Sequence, residues 1–365
     1  MMRPHVLACA TAAVLALAST SFAQDLTAGM TKGTPDLKSA GQLAFAPQGV
    51  LLVGDAIGGA IFAIATGDTS GKPDEVKLDI PALDAKIAAA LGTTPNEMLV
   101  NDLAVNPASG KIYLSISRGR GPGALPVLIR VEGAEKISEV PLKDVLFSKA
   151  VLPNLPAATE GKNNQRSEAI TDLAYLDGRV FVAGLSNEEF ASNLRSIPFP
   201  FTKAEAGTGI EIYHGSHGRF ETKSPIRTFA LYTSGKEPQV LAAYTCTPLV
   251  RFPVSELKPG AKVKGTTVAE LGNRNRPLDM IVYQQGGKDF ALLANNSRGV
   301  MKISLDHVEG AAGITEKISD KAGQPYETIE SLKGVVQLAR LNKDHAVVLI
   351  RTEAGAQDLR TIPLP

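Results

Sequence analysis

The chain has 365 residues, with 38 basic against 37 acidic side chains, 44% hydrophobic residues and no tryptophan. Charge so evenly balanced gives no electrostatic basis for nucleic-acid binding, and the lack of Trp excludes the tryptophan-docking repeats of large quinoprotein propellers, sialidase Asp-boxes and Trp-Asp propeller repeats. The two cysteines form no Cys-x-x-Cys-His, which excludes covalent haem, and neither Gly-x-Ser-x-Gly nor a Gly-rich phosphate cradle occurs.

The amino terminus carries Arg3, an apolar stretch from Val6 to Ala18, and small residues at Ser21 and Ala23. This order reads as a secretory signal peptide over residues 1–23, cleaved after Ala23, with residues 24–365 forming the mature domain. The expected location is periplasmic or secreted. Cleavage removes Arg3 and Cys9, which leaves Cys246 without an internal disulfide partner. No later run reaches the 18 or so apolar residues of a membrane span, so no transmembrane segment is expected after cleavage and the mature protein is expected to be soluble.

Six times along the mature chain an alternating apolar strand, a short turn rich in Gly, Asp or Asn, and a second apolar strand follow one another, at residues 43–53, 103–114, 173–182, 229–241, 280–293 and 336–349. Each is a hairpin signal. Third strands follow near Ala60, Val127, Gly209 and Val300, and a fourth is expected at Val76–Ile80. Pro81 to Gly92 reads as a short helix, with Pro at its start and Gly at its stop. Residues 144–168 and 186–208 read as long loops, the first with room to hide a seventh, degenerate blade. The last hairpin has a single strand after it, near Leu359–Pro363, so Leu26–Thr31 is expected to supply its missing outer strand and close a ring. Three to four antiparallel strands repeating every roughly 50 to 70 residues specify an all-β fold, a single β-propeller of six blades.

This grammar of hairpins and turns resembles the six-bladed propeller superfamily that includes NHL-repeat proteins and the SMP-30/gluconolactonase lactonases. The resemblance implies that each innermost strand runs away from one face and that the second strand returns to it. Residues just before the first strand and just after the second are then expected around the central opening: Gln42 and Asp55; Asn101, Asp102 and Arg118; Asp172 and Asn187; Cys246; Asp279 and Asn296; Arg351. The lactonases also imply a metal held by a Glu from the first blade with Asn and Asp from others. Here Gln42 stands near the Glu position, and Asn101, Asp172 and Asp279 would be partial counterparts.

Two chemistries suit that opening. Asn101, Asp102, Asp172, Asp279 and Asn296, with Asp55, are hard oxygen ligands for Ca²⁺ or another divalent cation, with Asp102, Asp172 and Asp279 as the metal candidates; equally, Asp and Asn at strand ends satisfy turn backbone donors. Arg118 and Arg120 in a Gly-rich loop, Arg298 in a polar turn, and Arg274 and Arg276 before Pro277 offer guanidinium groups for a carboxylate or phosphate. His214 and His217 have metal-like spacing at a hairpin tip expected on the opposite face. The 187–201 segment, ending Pro-Phe-Pro-Phe, reads as a lid, a partner surface or a loop pinned into the core by Phe199 and Phe201, and Cys246 as a soft ligand, a nucleophile or a small apolar filler. No catalytic base, nucleophile or complete metal set can be named. The sequence therefore favours an exported propeller that binds a small ligand or a periplasmic protein at its polar central face. The alternatives are a metal-dependent hydrolase of the lactonase or esterase type and, third, a redox-cofactor oxidoreductase.

Overall fold

A computed structural model describes residues 25–159, 164–235, 237–246 and 248–365. The expected signal peptide lies outside the described residues. The fold is a six-bladed all-β propeller, with blades I to VI in chain order. The inner hairpins are Leu43–Ala46 with Val50–Asp55 (I), Met98–Val105 with Ile112–Arg118 (II), Asp172–Leu176 with Arg179–Leu185 (III), Thr228–Ser234 with Glu237–Ala243 (IV), Pro277–Gln285 with Lys288–Asn295 (V), and Val335–Arg340 with His345–Arg351 (VI). All six repeats read from the sequence fall on these hairpins. Asp177 and Gly178 show why the turns are legible: both adopt positive φ, 46° and 74°, as a two-residue hairpin turn requires.

Six apolar clusters fill the seams between blades, and they set the order around the ring. They join I to II, I to III, III to IV, IV to V, V to VI, and VI to II. The spatial order is therefore II–I–III–IV–V–VI, with the first two blades exchanged relative to the chain. The linkers make the exchange possible. After blade I the chain runs outside blade II to pair Asp79–Ile80 with Gln357–Pro363 of blade VI, and the helix Leu83–Ala90 then plugs the II/VI seam before the chain enters blade II. After blade II it turns back, lays Val145–Val151 along the outer side of blade I, and enters blade III.

Several expectations are corrected by these pairings. The outer strand of the last blade comes from Asp79–Ile80, not from the amino-terminal stretch, and Val76–Ile80 is not a fourth strand of blade I. Thr31–Gly33 instead pairs with Val145–Val151 on the edge of blade I. The supposed loop at 144–168 thus carries a blade I strand and hides no seventh blade. The one at 186–208 contains Ser192–Pro198, the third strand of blade III, and Phe199 at its end is buried in the I/III seam. That extra strand reverses the direction expected for the next one. Thr208–His214 runs as a fourth strand, back toward the face where the inner strands begin, so the His214–His217 turn sits on the outer rim of that face rather than opposite it.

Candidate functional site at the mouth of the central channel

One residue near the start of each inner strand, just ahead of Leu43, Leu103, Leu173, Phe229, Met280 or Leu338, faces the axis. Taken around the ring, these are Asp102 (II), Gln42 (I), Asp172 (III), Thr228 (IV), Asp279 (V) and Gln337 (VI), and all six line one cavity of about 550 Å³. Carboxyl groups alternate with amide or hydroxyl groups. Each Asp accepts the backbone N–H that follows its neighbour: Asp102 Oδ2 from Leu43 at 2.7 Å, Asp172 Oδ2 from Phe229 at 2.7 Å, and Asp279 Oδ2 from Leu338 at 2.8 Å. The other carboxylate oxygen of Asp172 and of Asp279 accepts from the next residue of its own strand, Leu173 and Met280. The blades are thus stapled in pairs, II to I, III to IV and V to VI. Register shifts at the start of the inner strands of II, V and VI re-aim Asn101, Leu278 and Val336 into the same cavity.

The staples carry an electrostatic cost. Burial pushes the Asp172 carboxyl up to about 6. It pushes that of Asp279 up to about 8, with the Asp172 charge adding to the effect. Asp102 is raised well above the ordinary range, first by burial and then by the Asp279 charge. The three titrate as a set, and near neutral pH the floor carries fewer charges than carboxyl groups. Above it the lining turns basic. Arg227 forms an ion pair with Glu168, Nη1 to Oε1 at 2.5 Å, and donates from Nε to Thr245. Arg276 is exposed at the rim, its backbone N–H donating to Asn296 Oδ1 at 2.7 Å. Burial and the Arg227 charge lower its guanidinium from the usual value.

Of the residues singled out in the sequence, Gln42, Asn101, Asp102, Asp172, Arg276, Asp279 and Asn296 meet in this cavity. Asn101 donates to Ala40 O and Ser117 Oγ. The residues that follow second strands mostly stand one strand further from the axis, about 5 Å out. Asp55, with no exposed surface, accepts from the backbone of Lys38, Ser39 and Gly58 and from the Ser39 hydroxyl, so it closes a turn. Arg118 is exposed outside the cavity. Arg120 donates to Asn96 O and lines, with Arg351, a separate cavity of about 500 Å³. Asn187 is exposed, and Arg298 donates to Asn273 O and lies 3.5 Å from Asp320. Cys246 donates its backbone N–H to Asn275 O and lies outside the cavity. Thr228, Gln337, Glu168 and Arg227 were not foreseen. Thr228 could have been found by aligning the hairpins on their first apolar residue, which sets it in one column with Gln42, Asp102, Asp172 and Asp279; Gln337 is missed by that alignment, because its repeat opens on Val336, one residue ahead of it.

The three carboxyls share a cavity, but they do not form a compact ligand set. Among the described residues, the group of His, Cys, Asp and Glu with ligand atoms within 4.8 Å of one another is His214, His217 and Glu221, away from the channel.

No known family model matches this chain, and no curated protein matches it. Among solved structures, it is similar to extracellular domains 1–2 of Drosophila Semaphorin 1b (11% identity, TM-score 0.41, covering 92% of this chain and 86% of that one). It is also similar to a Thermus thermophilus putative oxidoreductase described as a glucose dehydrogenase (14% identity, TM-score 0.38, 92% and 100%) and to a Bacillus subtilis arabinanase (11%, TM-score 0.40, 73% and 94%).

Proposed function

We propose that the chain is an exported binding propeller that takes a small polar ligand in the mouth of its central channel. The observation that carries this reading is the polarity of the cavity along its axis, with three crowded carboxyls on the floor and the guanidiniums of Arg227 and Arg276 above them. A ligand that presents an ammonium or hydroxyl donor to the floor offsets the burial, and the smaller mutual repulsion, that raise Asp102 and Asp279. An anionic group at its other end meets Arg276. Walls of amide and hydroxyl groups from Gln42, Asn101, Thr171, Thr228 and Gln337 suit a ligand that hydrogen-bonds along its length.

The second reading, a lactonase-like hydrolase, needs a cation on the floor. It is favoured by the Asp residues and disfavoured by Gln42 at the position where the resemblance calls for Glu. Thermal melts of the mature protein with amino acids, betaines, sugars, lactones or Ca²⁺, each repeated with chelator, separate the two. A zwitterion that raises the melting temperature in a chelator-independent way, and loses its effect in Arg276→Ala and Asp172→Asn, supports the binding reading. Stabilisation by Ca²⁺ alone, with lactone turnover abolished by chelator, would replace it with the hydrolase. Silence across the whole panel would overturn both.

A further inference from the structure

A second site lies outside the channel, on the outer rim of blade III. The turn His214-Gly215-Ser216-His217-Gly218 is closed by the N–H groups of His217 and Gly218 donating to His214 O, and Gly218 takes a φ of +66°. This closure puts the two imidazoles on one side of the turn, with ring centroids 3.9 Å apart. Arg219–Glu221 returns antiparallel to the outgoing strand, and Glu221 reaches both rings. His214 Nδ1 lies 3.0 Å from Oε2, and His217 Nδ1 lies 2.6 Å from Oε1.

We propose that His214, His217 and Glu221 form a binding site for a divalent transition metal ion of the zinc class, with a coordination position left open to solvent. Two imidazoles and a carboxylate are the donor set that borderline metals prefer, and three protein ligands leave room for water. With metal–ligand bonds of about 2.0–2.1 Å, neighbouring donors in a tetrahedron stand about 3.3 Å apart; here the three donor atoms all lie within 4.8 Å of one another, so small movements of the exposed His217 ring close the set. His214 is 3% exposed and its Nε2 has no hydrogen-bond partner, so the ring is held by packing and by the carboxylate alone. His217, with 45% of its side chain exposed, provides the way in.

The surroundings support this assignment. Arg219 Nε stands 3.3 Å from Glu221 Oε1, but its side chain is 70% exposed and can swing into water when a cation arrives. Beneath the turn, Glu270 accepts the Gly215 N–H, and Ile318 donates to Gly215 O, so the backbone is braced from blade IV and from the loop beyond it.

The test is calorimetric titration of Zn²⁺ into the tag-free mature chain, paired with visible absorption after Co²⁺ loading. The expected result is one ion per chain and a Co²⁺ ligand-field band. Affinity should fall in His217→Ala and in Glu221→Gln by at least the roughly 10- to 100-fold that loss of a mere outer-shell partner costs, and Asp279→Asn in the channel should leave it unchanged. The metal-free melting curve of His217→Ala, an exposed-ring substitution, checks that the fold is intact. Absence of zinc heat, or binding that survives both substitutions in folded protein, would overturn the proposal.

Discussion

The channel floor and the blade III rim each bury carboxyl groups, yet those groups end up shifted in opposite directions. On the floor, Asp102, Asp172 and Asp279 face one another with backbone N–H groups as their charge-stabilising partners, and desolvation wins, so all three are raised. On the rim, Glu221 is desolvated too, but two imidazoles and a guanidinium surround it, and it ends near 2. On the floor the backbone N–H donors lower each carboxyl but are outweighed by desolvation, whereas on the rim the ring N–H and guanidinium partners outweigh it. The floor is a structural device with electrostatic capacity to spare, and that capacity is what a ligand can use.

The largest expected effect comes from breaking a staple. Asp172→Ala leaves the N–H groups of Leu173 and Phe229 without their acceptor, at a cost of about 2–3 kcal/mol in urea-induced unfolding. An unchanged midpoint would show that water replaces the carboxylate at no cost.

The next effect is one of sign. A carboxyl whose folded value is raised contributes stability that is fully present below its unfolded value and is lost as pH rises through the folded one. For Asp172 and Asp279 that window runs from about pH 4 to about 6 and about 8, with a slope of about 1.4 kcal/mol per pH unit for each group while it titrates. Asp279→Asn removes the upper part of this dependence, so its stability between pH 6 and 8 should be flatter than that of the wild type. Parallel curves would mean that Asp279 is charged throughout.

The smallest effect sharpens the comparison from the rim. Glu221, whose folded value is depressed, contributes stability present above its unfolded value of 4.5 and lost as pH falls toward about 2. Glu221→Gln should therefore destabilise the chain at pH 7, and the gap should close on acidification. A gap that is constant with pH would assign the loss to packing.

Much of this architecture is legible in the amino-acid sequence, and the part that is not has definite causes. Hairpins announce themselves locally, because Asp177-Gly178 and the paired glycines Gly286-Gly287 supply the positive φ their turns need. Register against a distant strand leaves no such local mark. Nothing in Val76–Ile80 says whether its partner lies in blade I or 280 residues away, and Ser192–Pro198 is polar enough to read as loop. Without that strand, the His214 turn is assigned to the wrong face. At the site, Asp102, Asp172 and Asp279 are found because each immediately precedes the apolar residue that opens its sequence repeat, Leu103, Leu173 or Met280. Asp55 and Arg118 are misplaced because sequence gives a residue's height along a blade but not its distance from the axis.

The exchanged order of blades I and II also bears on how the protein is made. The Leu78 carbonyl accepts from Thr361, and the Leu78 N–H donates to the hydroxyl of the same residue, 283 positions later in the chain. During vectorial synthesis, Asp79–Ile80 therefore leaves the ribosome as an unpaired strand and stays so until Gln357–Pro363 has emerged. The outer side of blade I likewise waits for Val145–Val151. Early blades that cannot be completed early make this ring late-closing, with high contact order concentrated in one seam. A chain truncated by its final strand would lose blade VI, the partner of Asp79–Ile80, and the lock on the II/VI seam together.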